Sequence, residues 1–285
     1  MIKTDPTIAG MASALQTSAS PASQDSLHKN AKQSIEAFAH RNFHSVIENI
    51  GVVESDVEQI APCTPLQEGI IYHFLSSTDP LYCSSFTFEL GVSTDIEKLR
   101  NAWSKAQDQV QMLRARFCPT ADGYAQVILK HDTLPWFNMS AMSEKEIESL
   151  HNKKVDNWTS DLEELSTRLW EVGLIRSPGK AVMCLSIFHA LYDGNSLALL
   201  LDLVARIYLN EHDASKQAPQ FLDVLHLGPL CKDPAEELFW KGHLANCQPQ
   251  ALSKSDESNG FIESQVHGIK INTTEPLDHL RKALN

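Results

Sequence analysis

The chain has 285 residues, a formal net charge of -12 and 42% hydrophobic residues. That length allows one large domain or two small ones with a real core, and the acidic balance argues against a nucleic-acid backbone binder, which needs a basic face. No apolar run approaches the ~20 residues of a membrane span, so membrane partners are not expected, and the six cysteines (63, 83, 118, 184, 231 and 247) form no Cys-x-x-Cys pair, which argues against a zinc site.

Residues 1–30 are rich in Ser, Ala, Thr and Gln and lack periodicity, so they are expected to be disordered. No sustained apolar stretch follows Met1 and the segment holds no Arg, which speaks against a secretory signal and a mitochondrial presequence. Residues 31–57 read as a helical connector, with Ile35, Phe38, Ala39, Phe43 and Ile47 in one stripe and Gly51 as its stop. Thr64-Pro65-Leu66-Gln67 is a helix start: Thr64 can cap, Pro65 suits the first turn, and Gln67 sits where a capping box needs it. That helix should bury Leu66, Ile70, Ile71 and Phe74.

Residues 81–92 alternate as a half-buried strand. Residues 94–109 follow as a helix with Ile96, Leu99, Trp103 and Ala106 on one face. Residues 115–129 read as a hairpin turned at Asp122-Gly123, and residues 143–158 as a charged amphipathic helix. LWEVGLIR and KAVMCLSIF flank Ser177-Pro178-Gly179, a hairpin turn. Residues 221–228 and a helix over 233–247 follow a polar loop. SDESNG is a linker, and SQVHGIKI and EPLDHLRKAL read as a further strand and helix.

The stretch 181–201, AVMCLSIFHALYDGNSLALLL, joins a buried strand to an apolar helix through HALYDGNS. This joint puts a titratable imidazole, His189, at the mouth of a core, and imidazole works as acid and base near neutral pH. A His at a strand end can equally be a hydrogen-bonded structural residue. Asp193 can be a turn residue, Gly194 can supply a positive φ, and Asn195 or Ser196 can cap the helix. Several cysteines lie in apolar runs, as Cys184 does, which suits reduced thiols in the cytoplasm.

FHALYDG, residues 188–194, resembles the His-His-x-x-x-Asp-Gly signature of condensation domains of nonribosomal peptide synthetases, members of the chloramphenicol-acetyltransferase-like acyltransferases. CTPLQEGIIYHFL (63–75) resembles the first condensation motif in its fungal form, and VQMLRARF (110–117) the second, in the right order. PLQEGIIYHFL and HALYDG are similar to fungal hydroxamate-siderophore synthetases in particular.

The resemblance implies an α/β (α+β) lobe, a mixed sheet flanked by helices, over residues 58–250. Residues 251–285 would be a linker and the start of a second, truncated lobe. It implies amide formation between phosphopantetheinyl thioesters presented by donor and acceptor carrier domains, beside an adenylation domain, with no metal or other cofactor bound directly. His189 would be catalytic, as the proton acceptor or as the group that orients the amine. Asp193 and Arg114 would form a buried ion pair fixing its loop, with Arg116 as an alternative partner because strand alternation turns both arginines the same way. Gly194 would allow close backbone approach. The first His of the signature is Phe188 here, a strand residue expected in an apolar environment, pointing away from the substrate tunnel that the resemblance implies between two lobes. The contrasting expectation is a non-catalytic lobe that only docks carriers. A coenzyme A-dependent acyltransferase of the same superfamily is a third.

Overall fold

The computed structural model describes residues 21–162, 164–211 and 220–245. Helix α1 (Pro21–Ile50) is followed by strand β1 (Val57–Pro62), helix α2 (Pro65–Ser76), strand β2 (Cys83–Leu90) and helix α3 (Ile96–Gln109). Strands β3 (Ala115–Thr120), β4 (Gly123–Leu129) and β5 (Trp136–Ser140), helix α4 (Glu144–Asp161), and strands β6 (Trp170–Ser177) and β7 (Lys180–Phe188) come next. Helices α5 (Gly194–Leu209) and α6 (Phe221–Val224) complete the first unit. From Ala235 the chain forms a separate unit, whose described part lies in helix α7 (Pro234–Leu244). The strand and helix expected within 251–285 lie outside the described residues, as do residues 1–20.

Two sheets organise the first unit. One is antiparallel, in the order β1-β4-β3, and the other is mixed, in the order β2-β7-β6-β5 with β5 parallel to β6. The hairpins turn where expected: Gly123 and Gly179 take φ of 107° and 86°, which a side chain resists. The larger core lies between the four-stranded sheet and helices α2, α3 and α5. The rings of Trp103 and Trp170 lie 5.9 Å apart in it, and Trp170 Nε1 donates to the Leu113 carbonyl at 2.7 Å. Both indoles are buried, so that bond removes a donor that would otherwise be stranded.

Helix α1 begins ten residues before the expected connector, so residues 21–30 are helical rather than disordered. No Gly or Pro interrupts residues 22–50, and Ile35 packs against the larger core, giving the N-terminal turns a surface to fold on. Further along, Phe38 and Val46 pack on Ile60, Cys118, Ala125 and Val127 of the antiparallel sheet. The connector is thus part of the fold. Gly51 stops it, with φ 72° and its N–H on the Ile47 carbonyl. In α2, Ile70, Ile71 and Phe74 are buried, but Leu66 is exposed: the buried face of this helix runs through Gln67 instead.

Helix α4 covers the opposite face of the four-stranded sheet. Its Ile147 packs on Ile175, Val182 and Cys184, His151 Nε2 lies 2.8 Å from Ser85 Oγ, and Lys154 pairs with the buried Glu171. Burial pushes the Glu171 carboxyl above its ordinary range, opposed by the Lys154 ammonium. On this face Phe137 folds over Gly173: a Cβ there would lie 2.3 Å from the Phe137 carbonyl oxygen and 2.5 Å from its ring. Gly173→Ala is therefore expected to destabilise the chain by about 1–3 kcal/mol through overpacking. Urea unfolding checks this, and a wild-type midpoint would contradict the packing described.

Candidate active site

The apolar run of β7 ends at Phe188, and His189 opens a short 3-10 turn that reaches Leu191. Phe188 is fully buried, with its ring 5.1 Å from that of Phe74 on α2. Phenylalanine at the first signature position thus completes an aromatic pair in the core.

His189 is held by the same sheet. Its backbone N–H donates to the Tyr82 carbonyl at 2.8 Å, one step beyond the Cys83–Phe188 pair of the β2–β7 ladder. Tyr82 accepts from a left-handed conformation, φ 63°, which is an outlier for a bulky residue and a kind of strain that concentrates at functional sites. The half-buried imidazole lies parallel to the Tyr82 ring, with centroids 6.2 Å apart, and meets Tyr192 edge to face at 4.8 Å. Its Nδ1 is buried without a hydrogen-bond partner among the described residues. Burial raises the Tyr192 hydroxyl, and its hydrogen bond with Ser84 opposes that shift.

Sequence reasoning gave no role to Tyr82 or Tyr192. Tyr192 sits inside the His–Asp joint, but no signal marked it as a ring contact. Nothing in LYC announces a left-handed tyrosine.

The expected ion pair between Arg114 and Asp193 is not formed. Asp193 is the N-cap of α5: its Oδ1 accepts from Ser196 N–H at 2.7 Å, and Ser196 Oγ accepts from the Asp193 N–H at 2.8 Å. The Ser196 backbone bond, with the Ser196 hydroxyl second, holds the Asp193 carboxyl below its ordinary range. A helix start supplies unpaired N–H groups and a positive dipole end, so an exposed carboxylate is satisfied locally. Arg114 is buried and meets Glu58 of β1 instead, with Nη1 to Oε2 at 2.5 Å. It also donates to the carbonyls of Gln107 and Asp108 at the C-terminal end of α3, and to those of Leu129, which ends β4, and Lys130, which follows it. Glu58 is drawn below its ordinary range: burial acts upward, and the Arg114 and Gln111 bonds outweigh it.

Arg116, the alternative, pairs with Asp132, which Arg168 shares. Gly194 is the first residue of α5, has no positive φ, and an added Cβ would meet nothing within 4 Å. Neither the positive φ nor a close backbone approach expected there is present among the described residues. His189, Asp193 and Gly194 are therefore neighbours in one joint, and Arg114 serves another.

The chain is similar to known proteins over most of its length. A family model described as "Condensation domain" matches residues 57–269. Nonribosomal peptide synthetase sidC of Arthroderma benhamiae is 39% identical over 258 residues, covering 90% of this chain and 5% of that protein. Nonribosomal peptide synthetase 2 of Gibberella zeae is 34% identical over 259 residues, again 90% and 5%. The starter condensation domain of rhizomide synthetase RzmA superposes with a TM-score of 0.55 at 17% identity, over 67% of this chain and 49% of that one. The chain thus spans a small part of those synthetases and about half of that solved domain.

The local satisfaction of the two charges has a measurable consequence. Arg114→Ala is expected to cost on the order of 3–5 kcal/mol, since it removes the cation beside Glu58 and the shared donor of four backbone carbonyls from a buried position, and Asp193→Ala about 1 kcal/mol as a lost cap. In denaturant unfolding the two should add to within about 0.5 kcal/mol, whereas Arg114→Ala and Glu58→Ala should not. Strong coupling between positions 114 and 193 would contradict the assignment.

Proposed function

Because the chain belongs to the condensation-domain family, we propose that it takes part in amide-bond formation between two carrier-bound thioesters, with His189 as the catalytic residue. The donor is an aminoacyl or peptidyl thioester on one phosphopantetheine arm, and the acceptor is an amine on another. Both arms are substrates brought by carrier domains, with an adenylation domain as neighbour, and the chain needs no metal or bound cofactor of its own. Similarity of the PLQEGIIYHFL and HALYDG stretches to fungal hydroxamate-siderophore synthetases makes a hydroxamate siderophore the proposed product. The proposed location is cytoplasmic, in keeping with the unbridged thiols of Cys63, Cys83, Cys118 and Cys184, which suit a reducing compartment.

The observation that carries the assignment is a half-buried imidazole at the end of a buried strand, with Nδ1 enclosed and without a hydrogen-bond partner among the described residues. The amine attacks the thioester carbonyl, a C–N bond forms, and the carbonyl oxygen takes up negative charge. The C–S bond then breaks. The proton lost by the amine passes to His189 Nε2, or is held there by a hydrogen bond that orients the amine, and leaves with the thiolate. A thioester is already activated, so alignment of the two arms supplies a further large share of the acceleration. The parallel Tyr82 ring and the edge-on Tyr192 ring limit how far the imidazole can turn.

The test is amide formation between loaded donor and acceptor carrier proteins, followed by mass spectrometry of the released product. His189→Ala should lower the rate by about 10²-fold or more, with carrier binding unchanged. Equal rates for wild type and variant, or carrier binding without product from the wild-type chain, would replace this reading with that of a non-catalytic docking module.

A further inference from the structure

We propose that Gln67 is a positioning residue for His189, tying the turn that carries the imidazole to the start of α2 and, through Gln126, to the antiparallel sheet. This rests on the catalytic reading of His189 and adds a residue to it.

The chemistry starts from the capping box. Gln67 Oε1 accepts from the Thr64 N–H at 2.9 Å, and Thr64 Oγ1 accepts from the Gln67 N–H at 3.2 Å. An exposed capping glutamine ends its work there, but Gln67 is buried, and its Nε2 has two hydrogens still to place. One points to the Ala190 carbonyl at 3.1 Å and the other to Gln126 Oε1 at 3.3 Å. Gln126, itself fully buried, donates from Nε2 to the Pro62 carbonyl at 2.9 Å.

Both amide orientations follow from backbone groups of fixed sense. The Thr64 N–H can only donate, while the Ala190 and Pro62 carbonyls can only accept. Flipping either amide would put like groups face to face, so the network has one arrangement.

Ala190 is the residue after His189 and is itself buried. Its carbonyl lies within the 3-10 turn His189–Leu191, where the closing bond runs from the Tyr192 N–H to the His189 carbonyl. Gln67 thus holds the turn from one side while the Tyr82 carbonyl holds the His189 N–H from the other. These two bonds hold the peptide planes on either side of the His189–Ala190 peptide, whose own carbonyl accepts from the Tyr192 N–H, and together they constrain the direction in which the imidazole leaves the backbone.

Gln67→Glu separates the two jobs. Glutamate serves in a capping box as well as glutamine, so the Thr64 N–H keeps its acceptor, but an ionised carboxylate cannot donate to Ala190 and sets oxygen against oxygen there. Gln67→Leu removes both functions at similar volume. Each full-length variant would be treated with diethyl pyrocarbonate, and the carbethoxylation rate of His189 compared with that of exposed His44 by peptide mass spectrometry. The His189 ring nitrogens would be followed by ¹⁵N NMR.

In both variants the His189 rate relative to His44 should rise about fivefold, the equivalent of one lost hydrogen bond, and its ring signals should shift. In the carrier assay kcat should fall with KM for the carriers unchanged, and Gln67→Glu should cause no further loss in a His189→Ala background. A lowered melting temperature with His189 reactivity and ring signals as in wild type would overturn the proposal, because it would leave Gln67 a helix cap and nothing more. Product formation that survives His189→Ala is a different failure: it removes the catalytic reading and leaves the tether standing.

Discussion

The last rung of the β2–β7 ladder, from the His189 N–H to the Tyr82 carbonyl, is the constraint on which the site depends. A strand fixes direction because each rung fixes its neighbour, and this rung extends that order one residue beyond the strand's end. Phe188 is locked in the core on one side. On the other, the Asp193 cap fixes where α5 begins. Between these anchors the chain crosses from strand to helix through residues 189–193, and the imidazole is presented from the first residue of that crossing. The left-handed Tyr82 shows where strain is accepted so that its carbonyl can face the rung.

Charge plays a smaller part in holding this crossing than the resemblance implied. Asp193 meets helix N–H groups, and Arg114 meets Glu58 and the carbonyl ends of α3 and β4. Each is satisfied within its own neighbourhood, as a guanidinium with several donors and a carboxylate at a helix start can be. Among the described residues, what reaches the backbone of the turn is neutral: the Tyr82 carbonyl and the Gln67 amide. Neutral hydrogen bonds in a buried setting are little affected by salt and do not titrate near neutral pH. Arg114 instead joins β1, α3 and the end of β4, and so secures the antiparallel sheet that Gln126 belongs to.

Much of this was legible because local chemistry marks element ends. Thr64-Pro65-Leu66-Gln67 announced the α2 cap, Gly51 the end of α1, Asp122-Gly123 and Ser177-Pro178-Gly179 the hairpins, and Phe188-His189 the strand-to-turn joint. The sequence was silent where the deciding contact is remote. Glu58 lies 56 residues from Arg114 and Ala190 lies 123 residues from Gln67, so spacing had no means of pairing them. Strand β5 is short and pairs in parallel with β6, so no hairpin turn flags it. The start of α1 was missed because a Ser- and Ala-rich composition reads as disorder until a packing surface such as that for Ile35 is known. Leu66 was misplaced because its capping neighbour Gln67, a polar residue, takes the buried side.

The central claim is that the end of a buried strand presents one imidazole, through Nε2, to an arriving acyl donor. A donor carrier protein whose phosphopantetheine arm ends in a bromoacetyl group tests it most directly, since the arm delivers an alkylating carbon to the place the thioester carbonyl would occupy. Peptide mapping after reaction should find the label on His189, with exposed His44 unlabelled and with competition from the natural acyl-loaded carrier. A label on Cys83, labelling of His189 no faster than that of His44, or labelling that the natural donor does not suppress would contradict the account.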